Sequence, residues 1–67
     1  MTMLKSDAER ECIRRWRALP RSERATNAQA ATFATALMDE IVFATSGDRY
    51  SFIRGWLQRD LHLRGGL

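Results

Sequence analysis

Residues 26–44 read TNAQAATFATALMDEIVFA, and this stretch decides the fold. Thr26 and Gln29 have the spacing of a capping box, in which the threonine hydroxyl accepts from the backbone N–H three residues on and the glutamine side chain reaches back to the cap. Alanine, the best helix former, occupies five of the ten positions after Thr26. The sequence therefore predicts a long central helix at about residues 27–45.

The apolar side chains of this stretch recur at helical spacing. At ~100° per residue, most of them fall on one stripe of the helix. The stripe comprises Ala30, Phe33, Ala34, Leu37, Ile41 and Ala44, and Met38 and Val42 widen it to about half of the cylinder. Because one neighbouring helix cannot cover that width, we expect helices 1 and 3 to pack on the two sides of helix 2.

Helix 1 is predicted at about residues 7–18. Ser6 and Glu9 have the spacing of a second capping box, and Pro20 cannot continue a helix. The apolar stripe of this helix comprises Ala8, Cys12, Ile13, Trp16 and Leu19.

Helix 3 is predicted at about residues 49–61. Gly47 suits a left-handed residue after helix 2, and Asp48 suits the N-cap of the next helix. The apolar arc comprises Tyr50, Ile53, Trp56, Leu57 and Leu61, with Phe52 at its edge. The predicted fold is thus an all-α, small three-helix bundle in which the whole chain is one domain and residues 1–5 and 64–67 are loose ends.

A chain of 67 residues has little interior with which to stabilise itself. Such a domain buries only ~60% of the surface that its unfolded chain exposes, and disulfides, metals or association commonly compensate. Cys12 is the only cysteine and His62 the only histidine, so we expect no disulfide, no metal site and no cofactor. Association with another chain is the compensation that remains.

The sequence gives no sign of catalytic equipment or of a membrane segment. A nucleophilic triad needs a base beside a serine or cysteine, whereas His62 lies in the C-terminal tail and Cys12 faces the predicted core. Asp39 and Glu40 are adjacent, so their side chains diverge by ~100°. No apolar run approaches the ~20 residues that cross a bilayer, and residues 1–5 do not resemble a signal peptide. We predict no catalytic residue, no enzymatic activity, no membrane association and a cytoplasmic location.

The net charge is +3, and the basic residues lie at the two ends of the chain. Residues 25–48 hold three acidic residues and no basic one. Arginines on helix 1 could follow a phosphate backbone, and arginines early in helix 3 stand where a helix-turn-helix reads DNA. The candidate contacts with nucleic acid, or with an acidic partner, are Arg10, Arg14, Arg17, Arg21, Arg49 and Arg54.

The apolar arcs of helices 2 and 3 are wider than a three-helix bundle needs. We expect the excess to form an interface in a two-fold homodimer, with a further protein as probable partner. The candidate interface residues are Val42, Phe43, Phe52, Trp56 and Leu63. As an alternative, Phe43 and Phe52 pack against each other beside the Gly47 turn.

Asp60 falls inside the apolar arc of helix 3 and has two interpretations. It either lies in a frayed last turn or pairs with an arginine, from helix 1 or from a partner subunit. The sequence as a whole leaves two functional hypotheses. The first is a non-enzymatic interaction protein that self-associates and acts as an adaptor or regulator, and the alternative is a small basic nucleic-acid-binding protein.

Overall fold

The computed structural model describes the backbone of residues 2–64 and the side chains of residues 2–63. Three α-helices and one short 3-10 helix make up this part of the chain. They are α1 (Lys5–Arg17), the 3-10 helix (Arg21–Glu23), α2 (Asn27–Glu40) and α3 (Arg49–Arg64). The prediction of an all-α three-helix bundle is confirmed.

The helix in the middle of the bundle is α3 and not α2. α3 packs along both other helices, most extensively along α2, whereas α1 and α2 share much less backbone contact. α3 can fill this position because it presents the bulky Ile53, Trp56 and Leu57, all of which are buried. α1 reaches α2 through single side chains, such as the Trp16 ring, which lies 5.8 Å from the Phe33 ring. The expectation that helices 1 and 3 flank helix 2 is therefore wrong.

α2 ends at Glu40, five residues before the predicted end near residue 45. Ile41 is already extended, and its N–H closes the helix by donating to the carbonyl of Leu37 at 2.8 Å. Ile41 and Phe43 are buried while Val42 between them is exposed, which is the two-residue alternation of a strand. The chain thus becomes extended after Glu40, and Phe43 is buried in this extended segment.

The N-terminal segment is ordered because it pairs with the chain after α2. The Met3 N–H donates to the Val42 carbonyl at 2.9 Å, and Met3 and Phe43 form an isolated parallel bridge. α1 then begins at Lys5 with Leu4 as a cap that makes no side-chain hydrogen bond. Met3, within the predicted loose end 1–5, is thus hydrogen-bonded to the chain after α2, and Lys5 already belongs to α1. The prediction of a cap at Ser6 is wrong.

The predicted caps of α2 and α3 are confirmed. The Thr26 hydroxyl accepts from the Gln29 N–H at 3.1 Å, and the Gln29 side chain accepts from the Thr26 N–H at 3.0 Å. The Asp48 carboxylate accepts from the Tyr50 N–H at 3.1 Å and from the Ser51 hydroxyl at 3.2 Å. Both helices therefore begin where the sequence places them.

Two details at the ends of α3 differ from the predictions. No glycine among the described residues has a positive φ, so Gly47 is not the left-handed residue that was expected. A Cβ on Gly47 would instead lie 3.0 Å from the Cε2 atom of Phe52, so a side chain there requires the Phe52 ring to move by a few tenths of an ångström. At the other end, α3 continues to Arg64. Of the predicted loose end 64–67, only residues 65–67 lie outside the described residues.

Candidate functional site

The exposed side of α2 forms a shallow groove beside the 3-10 helix. Ala28, Thr32 and Ala36 follow one another at four-residue spacing and are all exposed. The groove has a volume of about 490 Å³. Its lining comprises these three residues together with Leu19, Glu23, Gln29 and Phe33, and we call it the α2 groove.

The polar side chains of α2 in this groove already have hydrogen-bond partners inside the chain. The Thr32 hydroxyl donates to the Ala28 carbonyl at 3.0 Å, so its one proton is already used within the helix. The Gln29 amide donates to the Ser22 carbonyl at 2.8 Å, and its oxygen accepts from the Ala25 and Thr26 N–H groups. Each of these two side chains therefore already has a hydrogen-bond partner within the chain that covering the groove would leave in place.

The exposed side of α2 also lacks charge over most of its length. Residues 25–38 contain no charged residue, although 28% of the whole chain is charged. A helix with one face in the core and the other in water ordinarily carries charged residues on the second face. The α2 groove therefore has the composition of a covered surface rather than of a solvated one.

The outer surface of α1 is opposite in character, because its arginines are paired within the chain. Arg10 lies 3.9 Å from Asp7, Arg14 binds Glu11, and an Arg17 Nη lies 2.6 Å from Asp60. The shallow cleft over this surface measures about 520 Å³. Its lining comprises Ser6, Glu9, Arg10, Ile13, Arg14 and Arg17. The structure thus brings three predicted phosphate contacts together, each beside a carboxylate of the same chain, although Arg14 shares Glu11 with Arg15.

Two of these ion pairs have well-defined local causes. Arg14 and Arg15, one turn after Glu11, both donate to its carboxylate, and these hydrogen bonds lower the pKa of Glu11 to about 2. Asp60 is only 6% exposed, and its Oδ1 accepts from two nitrogens of Arg17. Of the two interpretations of Asp60, the pairing with a helix 1 arginine is confirmed.

The other three predicted contacts with nucleic acid are scattered. Arg21 is exposed in the 3-10 helix, next to the end of α1, whereas Arg49 begins α3 at the opposite end of the bundle. Arg54 is exposed, and its guanidinium lies 5.4 Å from the centre of the Tyr50 ring. The six arginines therefore do not form one surface.

Most of the predicted interface residues pack inside the chain. Phe43 and Trp56 are 2% and 8% exposed, and their ring centres lie 5.3 Å apart. Phe52 is partly buried, and its ring meets the Phe43 ring edge-on with the ring centres 6.5 Å apart. The Lys5 ammonium lies 3.8 Å from the centre of the Phe52 ring. This confirms the alternative in which Phe43 and Phe52 pack together beside Gly47.

Only two of the five predicted interface residues are well exposed, Val42 at 41% and Leu63 at 76%. Val42 lies beside the N-terminal segment, at the end of the bundle where α3 begins. Leu63 is eleven residues after Phe52, or ~16 Å further along α3. The predicted apolar patch is thus replaced by an internal aromatic cluster and two separate exposed side chains.

Three further observations on the described residues concern the Cys12 thiol, metal binding and membrane spans. Cys12 is fully buried, and burial raises the pKa of its thiol to about 11, so it stays protonated at neutral pH. No three His, Cys, Asp or Glu residues within the described region are placed to hold a metal ion. No helix in that region has both the length and the apolar character to cross a membrane.

Comparison of the chain with protein-family models, with curated proteins and with solved structures found no match. The α2 groove itself was not among the sites expected from the sequence. The charge-free run of residues 25–38 was the available signal. A hydrophobic pattern does not reveal the groove, because threonines on the outer side of α2 count as solvated polar residues in such a pattern.

Proposed function

We propose that this chain is a non-enzymatic interaction protein that binds another polypeptide through the α2 groove, as an adaptor or regulator. The observation that carries the proposal is the absence of charged residues from positions 25–38, which supply the exposed side of α2 as far as its last turn. The groove adds small side chains at Ala28, Thr32 and Ala36, which allow another helix to approach closely. The free, buried thiol of Cys12 also suits a reducing compartment, so we propose a cytoplasmic location.

Nucleic-acid binding by the arginines stays a prediction and receives less support. Arg10, Arg14 and Arg17 would have to exchange their carboxylate partners for phosphates, and Asp60 would then be buried without its cation. Leaving a buried carboxylate without its partner is costly. Retention of the purified protein on a DNA or RNA column at low salt, and its loss on raising the salt, would favour this alternative.

A photoactivatable residue placed in the α2 groove tests the proposed function. It is introduced at Ala36 in one variant and at Arg54, exposed on α3, in a control variant. On irradiation in the cells that make the protein, we expect covalent adducts with polypeptide from position 36 and none from position 54. Equal labelling from both positions, or none from position 36, would contradict the proposal.

A further inference from the structure

We infer that the α2 groove is occupied by the α2 helix of a second copy of this chain, packed antiparallel across a two-fold axis close to Thr32. The inference rests on the proposed function, since it names the polypeptide that the groove binds. In a two-fold pair both copies use the same surface, so that surface must be complementary to itself. The charge, size and hydrogen bonding of the α2 groove each meet this requirement.

The charges at the two ends of α2 are opposite in sign. The turn before the helix holds Arg21 and Arg24 with a single glutamate, whereas the helix ends in Asp39 and Glu40. These two acids follow Ala36 by three and four residues, so they lie on the same side of the helix as Ala36. An antiparallel pair places the basic end of each copy beside the acidic end of the other. A parallel pair would place like charges together, which is unfavourable.

One register of the antiparallel pair places small residues opposite small residues and opposite charges near each other. With Thr32 of both copies at the axis, Ala28 of one copy faces Ala36 of the other along the pair. The same register brings the turn that holds Arg24, whose Nε donates to the Leu19 carbonyl at 2.8 Å, towards Glu40 of the other copy. Glu40 pairs with Arg15 but keeps 63% of its side chain exposed, so it remains accessible to a second arginine. Alanine and threonine at the contact allow the two helices to pack closely.

The hydrogen bonding of the groove suits a dry contact at the axis. The Thr32 hydroxyl donates to the Ala28 carbonyl, so its proton needs no partner across the axis. The Gln29 amide is bound to the Ser22 carbonyl, on the N-terminal side of the groove. Burying these groups therefore does not leave them without partners, which is the usual cost of covering a polar surface.

Sedimentation of the purified chain with matched glutamate variants tests the inference. We expect the parent to sediment at twice its 7.7 kDa mass at micromolar concentration and to dissociate on dilution. Thr32→Glu would set two carboxylates against each other at the axis and raise the dissociation constant at least ~100-fold. Gly55→Glu is the control, because it adds the same charge on α3 where a Cβ meets nothing within 4 Å, and it should dimerise like the parent. Helicity by circular dichroism establishes that both variants fold.

Disulfide trapping tests the register. In the antiparallel pair, a mixture of Ala28→Cys and Ala36→Cys chains should give the mixed 28–36 disulfide on mild oxidation. Each variant alone should give little, because the two copies of either cysteine lie ~12 Å apart along the axis, beyond the reach of a disulfide. The parent chain controls for Cys12, which is buried. Disulfides within each variant alone, and none in the mixture, would overturn the antiparallel register.

The inference and the proposed function fail in different ways. A parent chain that stays at 7.7 kDa while position 36 still labels a different protein in cells would overturn the inference and leave the proposed function standing. A monomer that labels nothing from position 36 would overturn both. A dimer that Thr32→Glu leaves intact would also overturn the inference, since the copies would then meet through another surface.

Discussion

The outer surfaces of α1 and α2 differ in charge and in ion pairing. Along α1, Arg10, Arg14 and Arg17 are each matched with a carboxylate of the same chain. Along α2, residues 25–38 carry no charge. The arginines of the α1 surface have carboxylate partners within the chain. The uncharged α2 surface has none, and we expect it to be buried against another polypeptide. We therefore expect substitutions on α1 to change stability and substitutions on the exposed side of α2 to change association.

The largest effect is expected on the buried side of α2. Leu37 is 2% exposed, so Leu37→Ala should reduce the free energy of unfolding by ~2–5 kcal/mol through lost burial and an unfilled cavity. Thr32→Ala, on the exposed side of the same helix, should change it by less than ~0.5 kcal/mol in dilute solution where the chain is monomeric. Urea unfolding of both variants measures this. Equal losses would mean that the buried and exposed sides of α2 are misassigned.

The next effect distinguishes the ion pairs of α1. Arg17→Gln leaves the buried Asp60 with a weaker partner and should cost ~1–3 kcal/mol, reduced from the full cost of a buried pair because the Arg17 side chain is 47% exposed. Arg10→Gln removes a long, exposed pair with Asp7 and should cost less than ~0.5 kcal/mol. Thermal melting of the two variants at matched concentration compares them. The prediction fails if the Arg10 variant is as unstable as the Arg17 variant.

The two interior glycines should respond in opposite directions. Gly55 lies within α3, where an added Cβ would meet nothing within 4 Å, so Gly55→Ala should stabilise the protein by ~0.5–1 kcal/mol. Gly47→Ala would place a Cβ 3.0 Å from the Phe52 ring, which must shift, so this variant should be less stable than the parent. Chemical denaturation measures both. Stabilisation by Gly47→Ala would show that the ring moves without cost.

The smallest effect is in the acid range. Because Arg14 and Arg15 lower the pKa of Glu11 from 4.5 to about 2, its carboxylate stays ionised in the folded chain at a pH where the unfolded chain takes up the proton. Its contribution to stability is thus complete above pH 4.5 and is lost as the pH falls towards 2. Glu11→Gln should flatten the decline of stability in that window. Glu23→Gln, which removes a carboxylate found in no ion pair of the described residues, is the control.

The elements that sequence reasoning predicted correctly depend on local chemistry. The Thr26–Gln29 box and the Asp48 cap each need only a few neighbouring residues, and both are present. The end of α2 depends on a distant contact instead. Ile41 falls on the helical stripe of α2, but Ile41 and Phe43 together also fit a strand-like alternation, and it is in this second arrangement that Phe43 pairs with Met3. No local pattern contains that contact.

The candidate site was hidden by how residue types are classified. Thr32 counts as polar in a hydrophobic pattern, yet its hydroxyl already donates to the backbone carbonyl one turn earlier. The aromatic residues had the opposite effect, because they suggested a surface site where the structure has buried side chains. Phe43 and Trp56 gave apolar arcs wide enough to suggest an interface, but the bend after α2 buries both within the chain. The width of an apolar arc cannot reveal such a bend.

The rate at which a thiol reagent modifies a cysteine tests most directly whether a second copy covers the α2 groove. Ala36→Cys places the thiol in the groove, and Arg10→Cys places one on the exposed surface of α1. At a concentration where the chain is dimeric, we predict that the cysteine at position 36 reacts at least ~10-fold more slowly than the one at position 10, and that dilution removes the difference. Equal rates for the two cysteines at every concentration would contradict a covered α2 groove.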